Sequence, residues 1–282
     1  MDAASGKTGD ESYNRKKALN RQEFTQCVVR IACMRYVESG EMADVSDAVH
    51  RLCRADIAPR LDSHLFTMPN IFRMKYAYTE AVDDALRLHE ASLRLIYERA
   101  SKLNGQSVAK GIANKLVDSD SWNQFCYVFE LIDVDLAERD ATLAFVWSRM
   151  RVKDEQSELG RIKLTHLAFE DFLEALCRVS VCKAWPYPEE IEAAGAGNAG
   201  AYMLQLKGEE PDKHAEILAT RAVPWGHRPL QPIARCVEMM CELLVVTCKQ
   251  RVGGGTSNGV AGAKLSLSEK DVAAFMKLPK IA

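Results

Sequence analysis

Apolar residues recur at steps of three and four along most of this chain, which is the pattern of amphipathic helices. Near the N-terminus the stripe comprises Phe24, Cys27, Val28, Ile31, Met34 and Val37. Comparable stripes predict further helices over residues 44–56, 71–103, 119–132, 136–150, 169–184, 232–250 and 268–278. Alternation typical of paired strands is absent from the sequence, so the pattern predicts an all-α helical bundle.

Breaks in this pattern predict how the chain is organised. Residues 1–17 are polar and predict a flexible leader, and residues 18–184 predict one helical domain. Residues 185–229 contain five prolines and a run of small residues, which predicts a Pro/Gly-rich connecting arm with one short helix near 212–220. A Gly-rich linker over 253–264 is then expected to lead to a terminal helix within 265–282.

The helix predicted over 230–252 has a wide apolar face that includes Met239 and Met240. Such a face could enter the groove of a partner protein, but packing on the chain's own domain is favoured. The segment Pro224–Pro229 leaves a similar choice open. Trp225 and Arg228 are residue types that anchor interfaces, and they also hold an arm onto its own domain.

Two segments match at a fixed offset of 148 residues (167 − 19). The first has Leu19, then Glu23 and Phe24 after three intervening residues. The second has Leu167, then Asp171 and Phe172 at the same spacing. An amphipathic stripe follows each copy. Two copies this far apart predict a duplicated helical unit rather than a solenoid repeat.

The order of an apolar residue, three residues, an acid and Phe resembles the end of an EF-hand calcium loop and its exiting helix, as in the calmodulin superfamily. The whole chain is also similar to a loosely defined group of EF-hand-like proteins of protists and algae. The resemblance implies that Leu19 and Leu167 pair across two hands. It further implies that Glu23 and Asp171 stand where a closing carboxylate would, and that Phe24 and Phe172 are core aromatics.

Both calcium loops are degenerate when tested ligand by ligand. A working loop needs oxygen donors at positions 1, 3 and 5, and counting back from Asp171 places Gly160, Ile162 and Leu164 there. Counting back from Glu23 gives Ser12, Asn14 and Lys16, and the lysine would repel calcium. Asp118 and Asp120 form a third acidic pair, which is expected to cap a helix. The sequence therefore predicts no metal site.

Composition excludes several classes of protein. The chain is 48% apolar and 27% charged, as globular proteins are, and its net charge of −2 gives no long-range attraction to nucleic acid. No apolar run is long enough to span a membrane. The nine cysteines include no C-x-x-C pair, which predicts buried thiols in the cytoplasm. The glycine-rich run ends in Gly262-Ala263-Lys264-Leu265, which is not a phosphate-binding loop.

These observations predict a non-enzymatic scaffold that docks to partner proteins through helical surfaces and the Pro-rich arm. The resemblance makes a cytoplasmic, cytoskeletal or ciliary assembly its expected location. The four repeat residues Leu19, Phe24, Leu167 and Phe172 are expected in the core. No catalytic or cofactor-binding residue, cofactor or small-molecule substrate is nominated. The alternatives are a calcium-responsive regulatory protein with an irregular site and an enzyme of unfamiliar type.

Overall fold

The computed structural model describes Leu19 and residues 21–61, 69–103, 115–149, 157–253 and 266–275. The leader predicted over 1–17 lies outside these residues, as does nearly all of the predicted Gly-rich linker. The chain divides into two compact units, Met1–Phe66 and Thr67–Ala282. The domain predicted over 18–184 is therefore divided between two units.

Helices account for most of the described residues, which confirms an all-α fold. The first unit contains α1 (Arg21–Ala32) and α2 (Val45–Arg51), each extended by a π-helical turn, at Cys33–Val37 and Leu52–Ile57, and a 3-10 turn at Ala58–Arg60. The second unit begins with α3 (Pro69–Phe72), a π-helical turn at Arg73–Ala77, α4 (Glu80–Ala100), strand β1 (Val117–Asp118), α5 (Ser119–Val128), α6 (Glu138–Ser148), α7 (Glu158–Thr165) and strand β2 (His166–Leu167). It continues with α8 (Phe169–Cys182), α9 (Pro188–Ala193), α10 (Ala199–Glu209), α11 (Pro211–Arg221), α12 (Ile233–Gly253) and α13 (Glu269–Phe275).

The first unit is a helical hairpin with a small core. Its buried apolar residues are Ala32, Tyr36, Ala48 and Leu52. Asp44 begins α2 by accepting hydrogen bonds from the backbone N–H groups of Ser46 and Asp47, at 2.7 and 3.2 Å. The Tyr36 hydroxyl donates to the Asp56 carboxylate, which joins the two π-helical turns. A core of four residues leaves much of α1 exposed.

The prediction that Leu19 and Phe24 are core residues is wrong. Their exposed fractions are 59% and 60%. Helix α1 and the turn that extends it pack against α2 through Val28, Ala32 and Tyr36, and among the described residues Phe24 is not part of this small core. The two copies of the repeat therefore differ in burial, although a helix follows each of them.

The second unit is built around α12. This helix packs against α4, α8, α10 and α13, and its residues Val237, Met240, Leu244 and Cys248 are almost completely buried. The helix therefore packs on its own unit, which is the alternative that the sequence favoured over docking in the groove of a partner protein. Helix α8 is the second central element, because it packs against both α6 and α12 and has twelve buried residues.

Residues 185–229 are not a connecting arm with one helix. They form α9, α10 and α11, and Tyr202, Leu206 and Ile217 from these helices belong to the main core. Pro188 and Pro211 begin helices, where the missing N–H of proline costs nothing. Gly200 lets α10 approach α12 closely, since a Cβ there would lie 2.7 Å from the backbone of Leu243. The prolines therefore separate short helices that pack as part of the bundle.

The segment after α11 is held on its own unit. Trp225 is 9% exposed, and its ring lies edge-on to that of Trp147 with the centroids 5.9 Å apart. The Val223 N–H donates to the Cys182 carbonyl at 3.1 Å. Arg221 makes two hydrogen bonds to the Glu190 carboxylate, of 2.6 and 2.9 Å. These contacts place Trp225 on its own unit, which is one of the two alternatives that the sequence left open for this segment.

Candidate functional site

The centre of the second unit is a short ladder between two loops. Strand β1 pairs antiparallel with β2, with Val117 opposite Leu167 and Asp118 opposite His166. The side chains of Val117 and Leu167 are fully buried. The Tyr97 hydroxyl lies 2.9 Å from the Lys115 carbonyl oxygen and 3.0 Å from that of Leu167. Burial raises the pKa of Tyr97 well above its usual range. One neutral phenol thus holds both loops to α4.

A helix leaves each strand in an equivalent way. Helices α5 and α8 begin just after β1 and β2, and an aromatic residue follows five positions after each paired strand residue, Trp122 after Val117 and Phe172 after Leu167. The rings of Trp122 and Phe172 meet edge-on with their centroids 5.8 Å apart. Both side chains are completely buried. The ladder and this ring pair therefore join the start of α5 to the start of α8.

Further aromatic rings surround Phe172 and fix its position. Phe125 and Tyr97 approach it edge-on, with centroid distances of 5.3 and 5.4 Å. The Trp122 indole donates a hydrogen bond of 2.8 Å to the Ala141 carbonyl, which satisfies its polar N–H. The prediction that Leu167 and Phe172 are core residues is confirmed.

The partner of Leu167 differs from the expected one. The resemblance implied a pair with Leu19, whereas the structure pairs Leu167 with Val117. Val117 and Trp122 match Leu167 and Phe172 at an offset of 50 residues (167 − 117). The signal was present in the sequence as an apolar residue followed five positions later by an aromatic. It was missed because Ser121 stands where the closing acid was sought.

The acidic residues beside the ladder act as helix caps. Asp118 accepts a 2.7 Å hydrogen bond from the Ser121 N–H at the start of α5, as its position predicted. Asp171 accepts one of 3.0 Å from the Ala168 N–H at the start of α8. Both carboxylates therefore contribute to helix starts, where negative charge is favourable.

The segment that would be the second calcium loop is helical. Gly160, Ile162 and Leu164 all lie in α7, which runs directly into β2. A calcium loop instead wraps its oxygens around one point, and a helix directs its carbonyls along its axis. Among the described residues, no group of three His, Cys, Asp or Glu side chains is placed to hold a metal ion.

A buried carboxylate joins α3 and its π-helical turn to α8. Glu174 is 3% exposed and accepts hydrogen bonds from Arg178 at 2.7 and 3.0 Å and from Arg73 at 2.8 Å. The Arg178 guanidinium also lies over the Phe72 ring, 4.3 Å from its centroid. Arg73 donates further to the Trp147 carbonyl at 2.9 Å. Because two arginines share one buried glutamate, removal of any of the three side chains would leave a buried charge with fewer partners and destabilise the unit.

A second buried ion pair lies just after α8. The Lys183 ammonium donates to Asp135 at 2.6 Å and to the Leu131 carbonyl at 3.0 Å. The other Asp135 oxygen accepts a 2.9 Å hydrogen bond from the Ala184 N–H. Because each buried charge has a partner, this pair fixes the turn between α5 and α6 against the end of α8.

A cavity of about 90 Å³ lies beside this pair, lined among others by Lys183, Lys207, His214 and Arg251. Its two lysines and its arginine already have carboxylate partners. Lys183 pairs with Asp135, and Lys207 and Arg251 both pair with Glu130. Burial, followed by the charge of Lys207, lowers the pKa of His214. Among the described residues that line the cavity, every lysine and arginine is therefore already paired with a carboxylate, which disfavours the binding of an anion there.

The cysteines of the second unit are buried thiols. Burial raises the pKa of four of them, Cys177, Cys182, Cys236 and Cys248, to about 12. It raises the pKa of Cys126 and Cys241 still further. A thiol with such a pKa is protonated at neutral pH and reacts slowly. These side chains act as small apolar residues of the core.

Two further features lie at the surface, one in each unit. In the first unit, Phe24, Ile31 and Met34 of α1 and the turn that extends it are 60%, 52% and 66% exposed. We call these three residues the α1 row. In the second unit, α13 covers parts of α4 and α12, and its Phe275 packs on Phe129 with the ring centroids 4.8 Å apart.

No helix in the described part of the chain is long and apolar enough to cross a membrane. In comparisons with known proteins, no family model matches the chain, and no curated protein or solved structure matches it significantly. The chemistry of the described residues is therefore the basis for any functional proposal.

Proposed function

We propose that this chain is a non-enzymatic interaction protein whose first unit docks to a partner helix through the α1 row. The observation that carries the proposal is the exposure of Phe24, Ile31 and Met34 at spacings of seven and three residues. That spacing places apolar side chains along one side of a helix, as in helices that pack against a second helix. Three neighbouring apolar side chains more than half exposed are otherwise a liability in water.

Charges beside the row indicate the kind of partner. Arg30 and Arg35 are exposed near Ile31 and Met34, and Arg35 keeps most of its side chain in solvent while it contacts Asp56 at 3.4 Å. Two copies of the row packed together would bring these arginines close to one another, which is unfavourable. An amphipathic helix with acidic residues beside its apolar stripe fits both the row and its flanks.

The second unit serves in this proposal as a rigid body built on a degenerate EF-hand-like pair. The two-residue ladder, the exiting helices and the ring pair of Trp122 and Phe172 support this inference. The helical start of the second loop and the capping role of Asp171 favour a packing function over calcium binding. A cytoskeletal or ciliary assembly stays the predicted location.

Substitution of the α1 row tests the docking proposal. The variant Phe24→Ser/Ile31→Ser/Met34→Ser is compared with Met74→Ser/Leu88→Ser/Val134→Ser, which removes three apolar side chains of the second unit that are at least as exposed. Proteins captured by the wild type from native lysate should bind the control variant equally. The α1-row variant should capture at least tenfold less of these proteins. Capture by the wild type should also weaken at high salt, because the flanking arginines contribute to binding. Equal capture by both variants would refute the proposal.

Calcium titration by calorimetry tests the alternative of a calcium-responsive protein. We expect no heat of binding at micromolar calcium, because α7 occupies the positions of the second loop. A micromolar site that a chelator reverses would instead favour the regulatory alternative. Light scattering on the same samples would report whether calcium changes the mass of the particle.

A further inference from the structure

Helix α13 is held on the second unit by few side chains. Val272 and Phe275 are almost completely buried, and Leu267, just before the helix, is 8% exposed. Phe275 packs on Phe129, and the Leu267 N–H donates a 3.0 Å hydrogen bond to the buried hydroxyl of Ser92. The described helix spans seven residues, and a helix of this length is not stable in water without such contacts. Its folding and its docking are therefore one event.

The surroundings of α13 are basic where the helix is acidic. Glu269 lies 3.6 Å from Arg99 of α4, and Asp271 is held ionised by hydrogen bonds from Ser268 and by the nearby charge of Lys249, which lower its pKa. The Arg251 guanidinium lies 5.6 Å from the centroid of the Phe275 ring. Opposite charges thus guide the first turn of the helix, while apolar contacts hold its second turn.

The attachment of α13 to the chain lowers the affinity that it needs. Twelve residues, 254–265, separate the last residue of α12 from Ser266. Because the helix is covalently joined to α12 over this short length of chain, its effective concentration at its own groove is on the order of millimolar. A contact that is weak between separate molecules is therefore sufficient to keep the helix docked. A partner at high local concentration, or with a better-matched helix, can then replace it.

We propose that α13 is a displaceable cover, and that the groove beneath it on α4 and α12 binds a short acidic amphipathic helix of a partner protein. The pattern of the occupant is that of residues 267–275, Leu-x-acid-x-acid-Val-x-x-Phe. Leu267, Val272 and Phe275 supply the apolar contacts, and the two acids face Arg99 and Lys249. This groove is separate from the α1 row, so either proposal can fail without the other.

A labelled peptide of residues 266–282 is the probe for the groove. Fluorescence anisotropy compares its binding to the chain shortened to residues 1–265 and to the full chain. The shortened chain should bind the peptide at least tenfold more tightly, because its groove has no competing cover. A peptide with Phe275→Ala should lose this binding. The proposal is overturned if the shortened chain keeps its circular dichroism and does not bind, or if both chains bind equally.

A full-length variant keeps the test valid if the shortened chain does not fold. Phe275→Ala in the full chain weakens the cover and leaves the groove intact, so this variant should bind the labelled wild-type peptide at least tenfold more tightly than the wild-type chain does. Lys270→Ala is the matched control, because Lys270 lies on α13 and its side chain is exposed. Equal binding by the wild-type chain and the Phe275→Ala variant would refute a displaceable cover.

Discussion

Val117 and Leu167 face each other in an antiparallel ladder of two residues, and both side chains are fully buried. So short a ladder contributes little hydrogen-bond energy by itself. Its effect is to fix the relative position of α5 and α8, which bring Trp122 and Phe172 into contact five residues later. The packing of the second unit therefore depends on an alignment between two loops that are 50 residues apart (167 − 117).

Removal of the Phe172 ring should strongly destabilise the second unit. Phe172 is completely buried among Trp122, Phe125 and Tyr97, so Phe172→Ala leaves a cavity that these rings cannot fill. We expect the free energy of unfolding to fall by about 3–5 kcal/mol. Urea denaturation followed by tryptophan fluorescence measures it, because Trp122 reports on the same cluster.

Phe24→Ala is the matched control for this prediction. Phe24 occupies the equivalent position of the other repeat copy, but it is 60% exposed. Its removal should change the free energy of unfolding by about 0.5 kcal/mol or less, as is usual for surface positions. Similar losses for both variants would contradict the difference in burial between the two copies.

The sequence predicted helices better than it predicted their partners. Local periodicity indicates a helix wherever apolar residues recur at steps of three and four, and this was sufficient for α4, α8 and α12. Pairing between loops depends on tertiary contacts, so Leu167 was assigned to Leu19 when its partner is Val117. Burial depends on the elements that pack against a helix as well as on its own pattern. Phe24 and Phe172 have the same local pattern, but among the described residues only Phe172 is surrounded by other helices. The prolines of residues 185–229 predicted a connecting arm. Pro188 and Pro211 instead begin helices, and that these helices join the bundle depends on tertiary contacts.

Glu130 adopts a left-handed backbone conformation, with φ of +53°, just after α5 ends. Glycine adopts this conformation without strain, whereas a residue with a Cβ loses about 1 kcal/mol there. Glu130 also accepts hydrogen bonds from Lys207 and Arg251, which offset the strain. We therefore expect Glu130→Ala, which keeps the strain and loses both ion pairs, to be about 1 kcal/mol less stable than Glu130→Gly.

Salt and a helical control distinguish the two effects at Glu130. Because these ion pairs are partly exposed, high salt should lower the stability of the wild type relative to that of Glu130→Gly in urea denaturation. Glu216 is exposed within α11, where the backbone is right-handed. There the order should reverse, with Gly about 1 kcal/mol less stable than Ala. If the Ala variant were more stable than the Gly variant at both positions, backbone strain at Glu130 would be excluded.

Loss of the Glu174 carboxylate should be among the most damaging changes to the chain. Glu174→Ala leaves Arg178 buried, and Arg73 largely buried, without the anion that they share. An uncompensated buried charge costs about 3–5 kcal/mol. Thermal and urea unfolding should both show the loss.

Glu90→Ala provides a matched comparison for Glu174. Glu90 and Arg94 form an ion pair at the same spacing of four residues, at 2.7 Å, but both side chains are about half exposed. Exposed pairs contribute about 0–1 kcal/mol, so this variant should unfold almost as the wild type does. Equal effects of the two substitutions would mean that the Glu174 cluster is open to water.

The stability of the second unit should fall as the pH is lowered below neutrality, and His89 should cause part of this fall. His89 is 5% exposed, neither ring nitrogen has a hydrogen-bond partner among the described residues, and burial lowers its pKa, although the charge of Glu238 opposes the shift. Above the usual histidine pKa of about 6.5 the ring is neutral in both states, and its contribution to stability is complete. Below that pH the unfolded chain binds a proton that the folded chain does not, so the free energy of unfolding decreases.

His89→Leu should remove this part of the pH dependence, and at pH 7.5 it should cost less than about 1.5 kcal/mol because an apolar side chain of similar size replaces the unpaired nitrogens. Urea denaturation at pH 7.5 and pH 5 gives the comparison, and the difference between variant and wild type isolates His89 from His214, whose pKa is lowered too. His50→Leu, at an exposed position of the first unit, should keep the wild-type slope for the second unit. If His89→Leu keeps the full loss of stability at pH 5, His89 binds its proton as readily in the folded protein as in the unfolded chain, and the interface between α4 and α12 admits water at this position.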